Sequence, residues 1–200
     1  NDGLVVNQTY KLVIKDLADL SGNFSAPDTV VFDYILPQLP VAGDIIINEV
    51  FPDPTPSVGL PELEYVELWN RSAQSFNLRS LIWEVDFNST SLPDYTLGPD
   101  EYVILISEGQ ADFGVASVVE IDRRLSLRND HAGLALRTLL GDRIDTVAYM
   151  RSWYGNTEKD DGGYSLELIN PDSACPDFEN WRASDAEVGG TPGFENSVFS

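Results

Sequence analysis

Short runs of β-forming residues recur along almost the whole chain, and helical periodicity is nearly absent. In the first run, Tyr10, Leu12 and Ile14 alternate with Lys11 and Val13, which is the period of a half-buried strand. Nine further runs have strand character: residues 29–36, 44–50, 63–69, 81–87, 102–107, 117–121, 133–139, 143–149 and 164–169. Turn-forming residues fill the intervals, and short strands at this spacing predict an all-β sandwich or barrel.

Three segments add detail to this pattern. The run at residues 102–107, YVILIS, is almost entirely apolar, which predicts a strand buried on both faces. The strongest helix-like signal is a short turn at residues 109–113. Residues 172–200 are rich in turn-forming residues, and we expect them to meander over the surface.

The segment PQLPVAG, at residues 37–43, separates the first two runs from the rest. Prolines and a glycine at this density interrupt strand pairing, so we interpret the segment as a linker. Residues 1–40 then hold only two strands, and an isolated hairpin is marginally stable in water. Either this hairpin pairs with the sheet that follows, or it closes a domain whose beginning is missing. We favour the second interpretation and predict that residues 1–40 are the closing strands of an incomplete domain and that residues 44–200 form one β-domain. Pairing with another chain through the free edges of the hairpin is a further hypothesis.

The charge balance limits the classes of partner. Lysine and arginine together number 12 against 33 aspartates and glutamates, which gives a formal net charge of -21 at pH 7. Nucleic-acid backbones and anionic membrane surfaces attract basic patches, so we expect neither to be a partner. No apolar run is long enough to insert into a membrane and span it. Cys175 is the single cysteine, which excludes a disulfide scaffold and a multi-cysteine zinc site.

Eight short motifs occur in order from residue 44 onward. They are IIINEV (45–50), EYVELWN (64–70), FNLRSLIW (76–83), LGPDEYVIL (97–105), LSLRNDHAGLAL (125–136), GDRIDTVAY (141–149), GYSLELIN (163–170) and GGTPGFENS (189–197). Together they resemble the lamin tail domain, in the form found in secreted and surface-attached bacterial proteins. The resemblance implies an immunoglobulin-like β-sandwich of the lamin-tail type.

The resemblance also implies structural roles for single residues. Asn70 would head a turn whose backbone its side chain bonds. Four apolar residues would face the core: Val66, Leu68, Leu81 and Trp83. The glycines of the last motif, Gly189, Gly190 and Gly193, would allow a tight closure of the C-terminal segment against the sandwich.

Residues 10–23, YKLVIKDLADLSGN, look like the closing strands of a bacterial immunoglobulin-like domain. The two resemblances together imply a fragment of a longer extracellular or cell-surface chain with several domains.

Three glutamates, Glu49, Glu64 and Glu67, recur on two predicted neighbouring strands. They raise the hypothesis of calcium binding or acid–base catalysis. We favour the interpretation that they occupy exposed strand positions, with one of them a structural carboxylate bonded to the backbone or to an arginine. The sequence has no calcium-loop spacing to support the metal hypothesis.

Two further polar groups invite a functional interpretation. Glu158, Asp160 and Asp161 form an acidic run beside two glycines, which we interpret as a solvated loop, with a weak calcium site as the alternative. His131 is the single histidine. It would need a serine and an aspartate nearby to form a catalytic triad. Asp130 is adjacent, but the chain has no G-x-S-x-G motif, so we expect His131 to lie at a turn without a catalytic role.

Several other residues have an ordinary and a functional interpretation. Trp153 and Tyr154 are typical of packing or of stacking on a sugar, and we favour packing. Phe51 with the proline-rich loop at residues 52–61 is a candidate contact surface. Ser173 follows an aspartate in a pattern that resembles an O-glycosylation signal of some secreted bacterial proteins. Cys175 has no basic neighbour that would activate its thiol, so we interpret it as a passive residue.

The sequence therefore predicts a non-catalytic extracellular module that acts as a spacer or binds a protein or cell-surface partner. We expect no catalytic, cofactor-binding or metal-binding residues. The alternative is an accessory module of a secreted hydrolase or nuclease that binds a glycan or calcium.

Overall fold

The computed structural model describes residues 3–5, 8–34, 38–107, 113–114, 117–121, 126–173 and 178–200. Within these residues the chain forms fourteen strands: β1 (Gln8–Ile14), β2 (Asp28–Tyr34), β3 (Ile45–Phe51), β4 (Tyr65–Asn70), β5 (Phe76–Asn77), β6 (Leu81–Val85), β7 (Asn88–Ser91), β8 (Thr96–Leu97), β9 (Tyr102–Ser107), β10 (Val118–Ile121), β11 (His131–Thr138), β12 (Arg143–Met150), β13 (Leu166–Leu168) and β14 (Trp181–Ala183). Short 3-10 helices cover Leu78–Ser80, Arg151–Tyr154 and Phe178–Asn180. Helices long and apolar enough to cross a membrane are absent from the described part of the chain.

The chain divides into two compact units, residues 1–38 and residues 39–200. In the first unit β1 and β2 form an antiparallel hairpin in which Tyr10 lies opposite Phe32. None of the described residues from 3 to 34 is buried. A hairpin with two open faces has little apolar burial to stabilise it. That it closes an incomplete immunoglobulin-like domain stays a prediction.

The second unit is a sandwich of two larger sheets. The six-stranded sheet has the order β10-β9-β4-β3-β13-β14, and the four-stranded sheet has the order β12-β11-β6-β7. Neighbouring strands are antiparallel except for the parallel pair of β9 and β10. The prediction of an all-β sandwich is confirmed.

Alternation along the strands places apolar side chains between the two sheets. Val66 and Leu68 of β4 and Trp83 of β6 belong to one continuous core, and Leu81 is fully buried beside them. These inward positions are as predicted. The side chain of Asn70 is also buried, and its Oδ1 accepts a hydrogen bond from the amide of Ser72 at 3.0 Å. The predicted turn at this asparagine is therefore confirmed.

The outer face of the six-stranded sheet is also covered. Ile104 and Ile106 of β9 pack there with Phe51 and Tyr65 in a second apolar cluster. The predicted burial of residues 102–107 on both faces is therefore confirmed for the strand interior. The interpretation of Phe51 as part of a contact surface is wrong, because its side chain is 1% exposed. That the proline-rich loop at residues 52–61 is a contact surface stays a prediction.

The sequence pattern does not predict the shortest strands. β14, three residues long, extends the sheet beyond β13 inside the segment predicted to meander. β5 and β8, two residues each, pair with each other. Runs this short show no period of alternation, so their pairing is set by tertiary contacts. Most of the helix-like turn predicted at residues 109–113 lies outside the described residues.

Replacing Leu81 by alanine tests the central position of the core. Leu81 is fully buried, so we expect the Leu81→Ala substitution to lower the free energy of unfolding by about 2–5 kcal/mol. Chemical denaturation monitored by tryptophan fluorescence measures this change. Leu140, 78% exposed, provides the control, and Leu140→Ala should change stability by less than about 0.5 kcal/mol. Equal effects of the two substitutions would contradict this description of the core.

Candidate functional site

Three glutamates lie side by side across three neighbouring strands on the outer face of the six-stranded sheet. Glu67 of β4 lies opposite Glu49 of β3, and Glu49 lies opposite Glu167 of β13. All three have no solvent-exposed surface. We refer to Glu49, Glu67 and Glu167 as the glutamate row.

A β-bulge determines that Glu49 belongs to this face. The register between β3 and β4 shifts between Ile47 and Glu49, so that Asn48 is the extra residue. Ile47 and Val50 both enter the core, which strict alternation would not allow for residues three apart. The bulge therefore turns Glu49 away from the core and toward the outer face.

Glu49 accepts three hydrogen bonds on a single oxygen. Its Oε1 receives the hydroxyl of Tyr65 at 2.7 Å, the hydroxyl of Ser165 at 2.6 Å and the backbone amide of Thr191 at 2.9 Å. Its Oε2 is buried and has no hydrogen-bond partner among the described residues.

The other two carboxylates bind mainly to the end of the chain. Glu67 accepts from the Asn48 side-chain amide at 2.8 Å and from the backbone amide of Gly193. Further donors reach Glu167: the hydroxyl of Thr191 at 3.0 Å, the hydroxyl of Ser197 at 2.8 Å and the amide of Val198 at 3.2 Å. We call residues 189–198, which supply most of these donors, the C-terminal strap.

The strap lies so close to the sheet that glycine is required at its start. A Cβ atom on Gly190 would lie 2.6 Å from both Oε1 of Glu49 and the hydroxyl oxygen of Tyr65. Gly189 has a φ of +96°, which disfavours other residues, and its Cβ would lie 2.0 Å from the carbonyl oxygen of Gly163. The predicted closure of the C-terminal segment through these glycines is confirmed.

Asparagines fix the far end of the strap. The side-chain amide of Asn196 donates to the carbonyl oxygen of Asn48 at 3.0 Å and to that of Leu168 at 2.8 Å. The Asn48 amide in turn donates to Oδ1 of Asn196 at 2.8 Å. The residue that forms the bulge is therefore also the residue that anchors the strap.

Burial and mutual repulsion change the acidity of the row. Burial, together with the charge of Glu167, raises the pKa of Glu49 to about 7, although its hydrogen bonds act in the opposite direction. Burial and the charge of Glu49 raise the pKa of Glu67 as well. In the described part of the chain no ion pair compensates these carboxylates. The row is suited to hold protons and to bind the strap, and its complete burial keeps a substrate away from the oxygens.

The sequence interpretation of these glutamates needs correction. The sequence predicts exposed strand positions with one structural carboxylate among them. Instead, Glu49 and Glu67 are both fully buried, because the strap covers the outer face, and both are structural carboxylates that accept backbone amides. Glu64 lies apart from them and accepts a hydrogen bond from the amide of Leu127 at 3.0 Å. Sequence reasoning missed Glu167, although its position between Leu166 and Leu168 marks it as outward-facing.

His131 opens β11 at an exposed position. Its Nδ1 lies 3.1 Å from Oδ2 of Asp130, and its Nε2 lies 3.3 Å from a guanidinium nitrogen of Arg128. The hydrogen bond from His131 is one reason that the pKa of Asp130 is lowered, against the effect of desolvation. The partners of His131 are therefore a carboxylate and a guanidinium group at the surface. Neither partner is a serine or cysteine that could act as a nucleophile.

An arginine forms ion pairs with the acidic run at residues 158–161. Arg151 reaches Asp160 at 3.2 Å and Asp161 at 3.3 Å, and the amide of Glu158 donates to the side chain of Asn156. Among the described residues, no group of three or more histidine, cysteine, aspartate or glutamate side chains is arranged to hold a metal ion.

The remaining sequence candidates occupy ordinary positions. Tyr154 is buried and its hydroxyl donates to the carbonyl oxygen of Tyr164 at 3.0 Å, while the ring of Trp153 lies 6.4 Å from that of Trp181. These contacts favour packing over sugar stacking. Ser173 is exposed in a turn, and Cys175 lies outside the described residues.

Adding one methyl group at the start of the strap tests its fit. Because the Cβ of Gly190→Ala would lie within 2.6 Å of two oxygens, we expect a loss of about 1–3 kcal/mol of stability from overpacking. Thermal and chemical denaturation measure it. Gly133→Ala is the control, since its Cβ would lie 3.8 Å from the nearest atom. A Gly190→Ala variant as stable as Gly133→Ala would show that the strap is not closely packed.

Comparison with known families identifies the second unit. The family model of the lamin tail domain matches residues 38–151, a range that includes the bulge, Glu49 and Glu67. Glu167 and the strap follow after that range. A search of curated proteins returned no match. Since the matched residues make up more than half of the chain, the protein belongs to the lamin tail domain family.

Proposed function

We propose that this protein is a non-catalytic interaction or spacer module of a secreted or cell-surface bacterial protein. Membership of a family of immunoglobulin-like interaction domains supports this proposal. The observation that carries the proposal is that the glutamate row serves as a hydrogen-bond acceptor for the strap. The carboxylates best suited by position to act as a general acid or base are sealed beneath the strap, where they accept hydrogen bonds from the chain itself.

The charge of the surface supports a protein partner with a basic face. The chain carries a formal net charge of -21, and the arginines and lysines in the ion pairs already have acidic neighbours. Complementary charge accelerates association and makes it sensitive to salt. The hypothesis of a nucleic-acid partner gains no support from this surface.

An extracellular binding assay tests the proposal. We expect fluorescently labelled protein to bind bacterial cell surfaces saturably and to dissociate as the ionic strength increases. In parallel, the purified chain should show no esterase, phosphodiesterase or glycosidase turnover that depends on His131. A turnover that His131→Ala abolishes would contradict a non-catalytic role, and salt-independent, non-saturable adsorption would contradict specific interaction.

A second candidate function, glycan binding, is favoured by one cleft. A cleft of about 200 Å³ lies where β3 meets β12, the edge strand of the four-stranded sheet, and Arg71, Asp145 and Asn170 contribute polar groups to its wall. Glycan arrays followed by calorimetry test this candidate. Binding there should be lost in Arg71→Ala and kept in Arg79→Ala, which alters an exposed arginine. Equal binding by both variants would place any glycan elsewhere.

A further inference from the structure

The outer face of the six-stranded sheet carries an imbalance of charge. Within the described residues, eight hydrogen bonds reach the glutamate row, and five of them come from the C-terminal strap: two from Thr191 and one each from Gly193, Ser197 and Val198. None of these donors is a cationic group. Fully ionised, the row would hold three buried negative charges, and no ion pair of the described residues offsets them.

We propose that the strap is a proton-dependent latch: it is closed on the sheet while the glutamate row holds at least one proton, and it loosens when the row is fully ionised. The proposal concerns the movement of a segment of this chain, and it is independent of the partner proposed above.

The register of the sheet supplies the first argument. Residues directly opposite each other on antiparallel strands have Cβ atoms about 4.5–5.5 Å apart, and like charges in such pairs destabilise the sheet. The pairs Glu67–Glu49 and Glu49–Glu167 both have this relation. Carboxyl groups at such separations share protons, because two adjacent buried charges repel each other.

The unpartnered oxygen of Glu49 supplies the second argument. Oε2 is buried without a hydrogen-bond donor, whereas Oε1 of the same carboxyl group accepts three bonds. A buried ionised oxygen without a donor is costly. A proton on Oε2 replaces the charge by a neutral hydroxyl, which lowers this cost and leaves the three bonds to Oε1 in place. A proton is therefore favourable on Glu49, and burial raises the pKa of the neighbouring Glu67 well above its ordinary value as well.

The surrounding groups do not supply a compensating positive charge. Tyr65 of β4 is itself affected by the row, because burial and Glu49 raise its pKa. Burial raises the pKa of Tyr102 on β9 to about 12, with Glu67 and the strap residue Glu195 adding to the effect. Both phenols are neutral at physiological pH.

On β14, Arg182 lies opposite Glu167 in the register, but its side chain is half exposed and is paired with Asp185 at 2.7 Å. Among the described residues, the elements that pack against the row therefore contribute neutral or acidic groups, and Arg182 is paired with Asp185.

The direction of the pH effect follows from the pKa of Glu49. Its pKa is raised by burial from the ordinary value of 4.5 to about 7, and the pKa of Glu67 is raised in the same direction. A carboxyl with a higher pKa in the closed than in the open state binds its proton more tightly when closed. Its contribution is full below pH 4.5 and is lost as the pH rises through about 7. The strap should therefore be tightest in mild acid and should loosen in mild alkali.

Hydrogen exchange of the full chain, measured by mass spectrometry between about pH 5 and about pH 8.5, tests the latch. After correction for intrinsic exchange rates, we expect protection of the strap amides to fall by about tenfold or more across this range. Protection in β11 should stay constant, because that strand lies in the other sheet. Constant protection of the strap would overturn the proposal, as would a parallel loss in β11, which would indicate global unfolding.

Two glutamine variants separate the row from general effects of charge. Glu49→Gln keeps an oxygen for the three donors and replaces Oε2 by a neutral group, so it imitates the protonated state. We expect it to flatten the pH dependence of strap exchange. Glu62→Gln removes an exposed carboxylate and should keep the wild-type dependence. Identical pH profiles for the two variants would overturn the assignment to Glu49.

Carboxyl carbon chemical shifts of the wild-type protein provide a measurement that needs no variant. We expect at least one glutamate to titrate with a midpoint near 7, together with the change in strap exchange. Titration of every glutamate below about pH 5 would overturn the proposal even if Glu49→Gln failed to fold.

Discussion

The β-bulge at Asn48 is the constraint on which the outer half of the sandwich depends. It allows Ile47 and Val50 to enter the same core while Glu49 faces outward. Once Glu49 is outside, it completes a row with Glu67 and Glu167. Desolvated acids need donors, and the sheet itself supplies only a few. The bulge thereby creates the need for a covering segment, and the Asn48 side chain also helps to hold that segment.

The two faces of the six-stranded sheet are stabilised in different ways. The inner face is apolar and is held by burial of side chains such as Val66 and Leu166. The outer face combines a small apolar cluster around Tyr65 with a polar region whose hydrogen bonds are specific in geometry. Apolar packing tolerates variation of shape, whereas a satisfied buried polar network accepts one arrangement of the chain. The polar face therefore determines where the C-terminal strap lies, and the apolar face supplies most of the stability.

Local patterns allowed the sequence to predict the sandwich but not its outer covering. Alternation around Leu68 and Trp83 identified strands and their inward faces, because side-chain direction in a strand is a local property. The same alternation predicts the outward direction of Glu67 correctly, but for Glu49, two residues after Ile47, it predicts the inward direction that the bulge reverses. The interpretation of both glutamates as exposed is wrong. Whether an outward residue meets water or another segment depends on contacts distant in sequence. The donor at Thr191 lies 142 residues from Glu49, and no local pattern reports such a contact.

The separation between the strap and its acceptors has a consequence for biosynthesis. The Gly193 amide that binds Glu67 lies 126 residues after it, and Val198 comes later still. During translation, β3 and β4 emerge long before the residues that seal their outer face. Contacts between distant residues form late because the intervening loop must first be closed. A nascent chain stalled before residue 189 would therefore leave the acids of the row without the donors that the strap supplies.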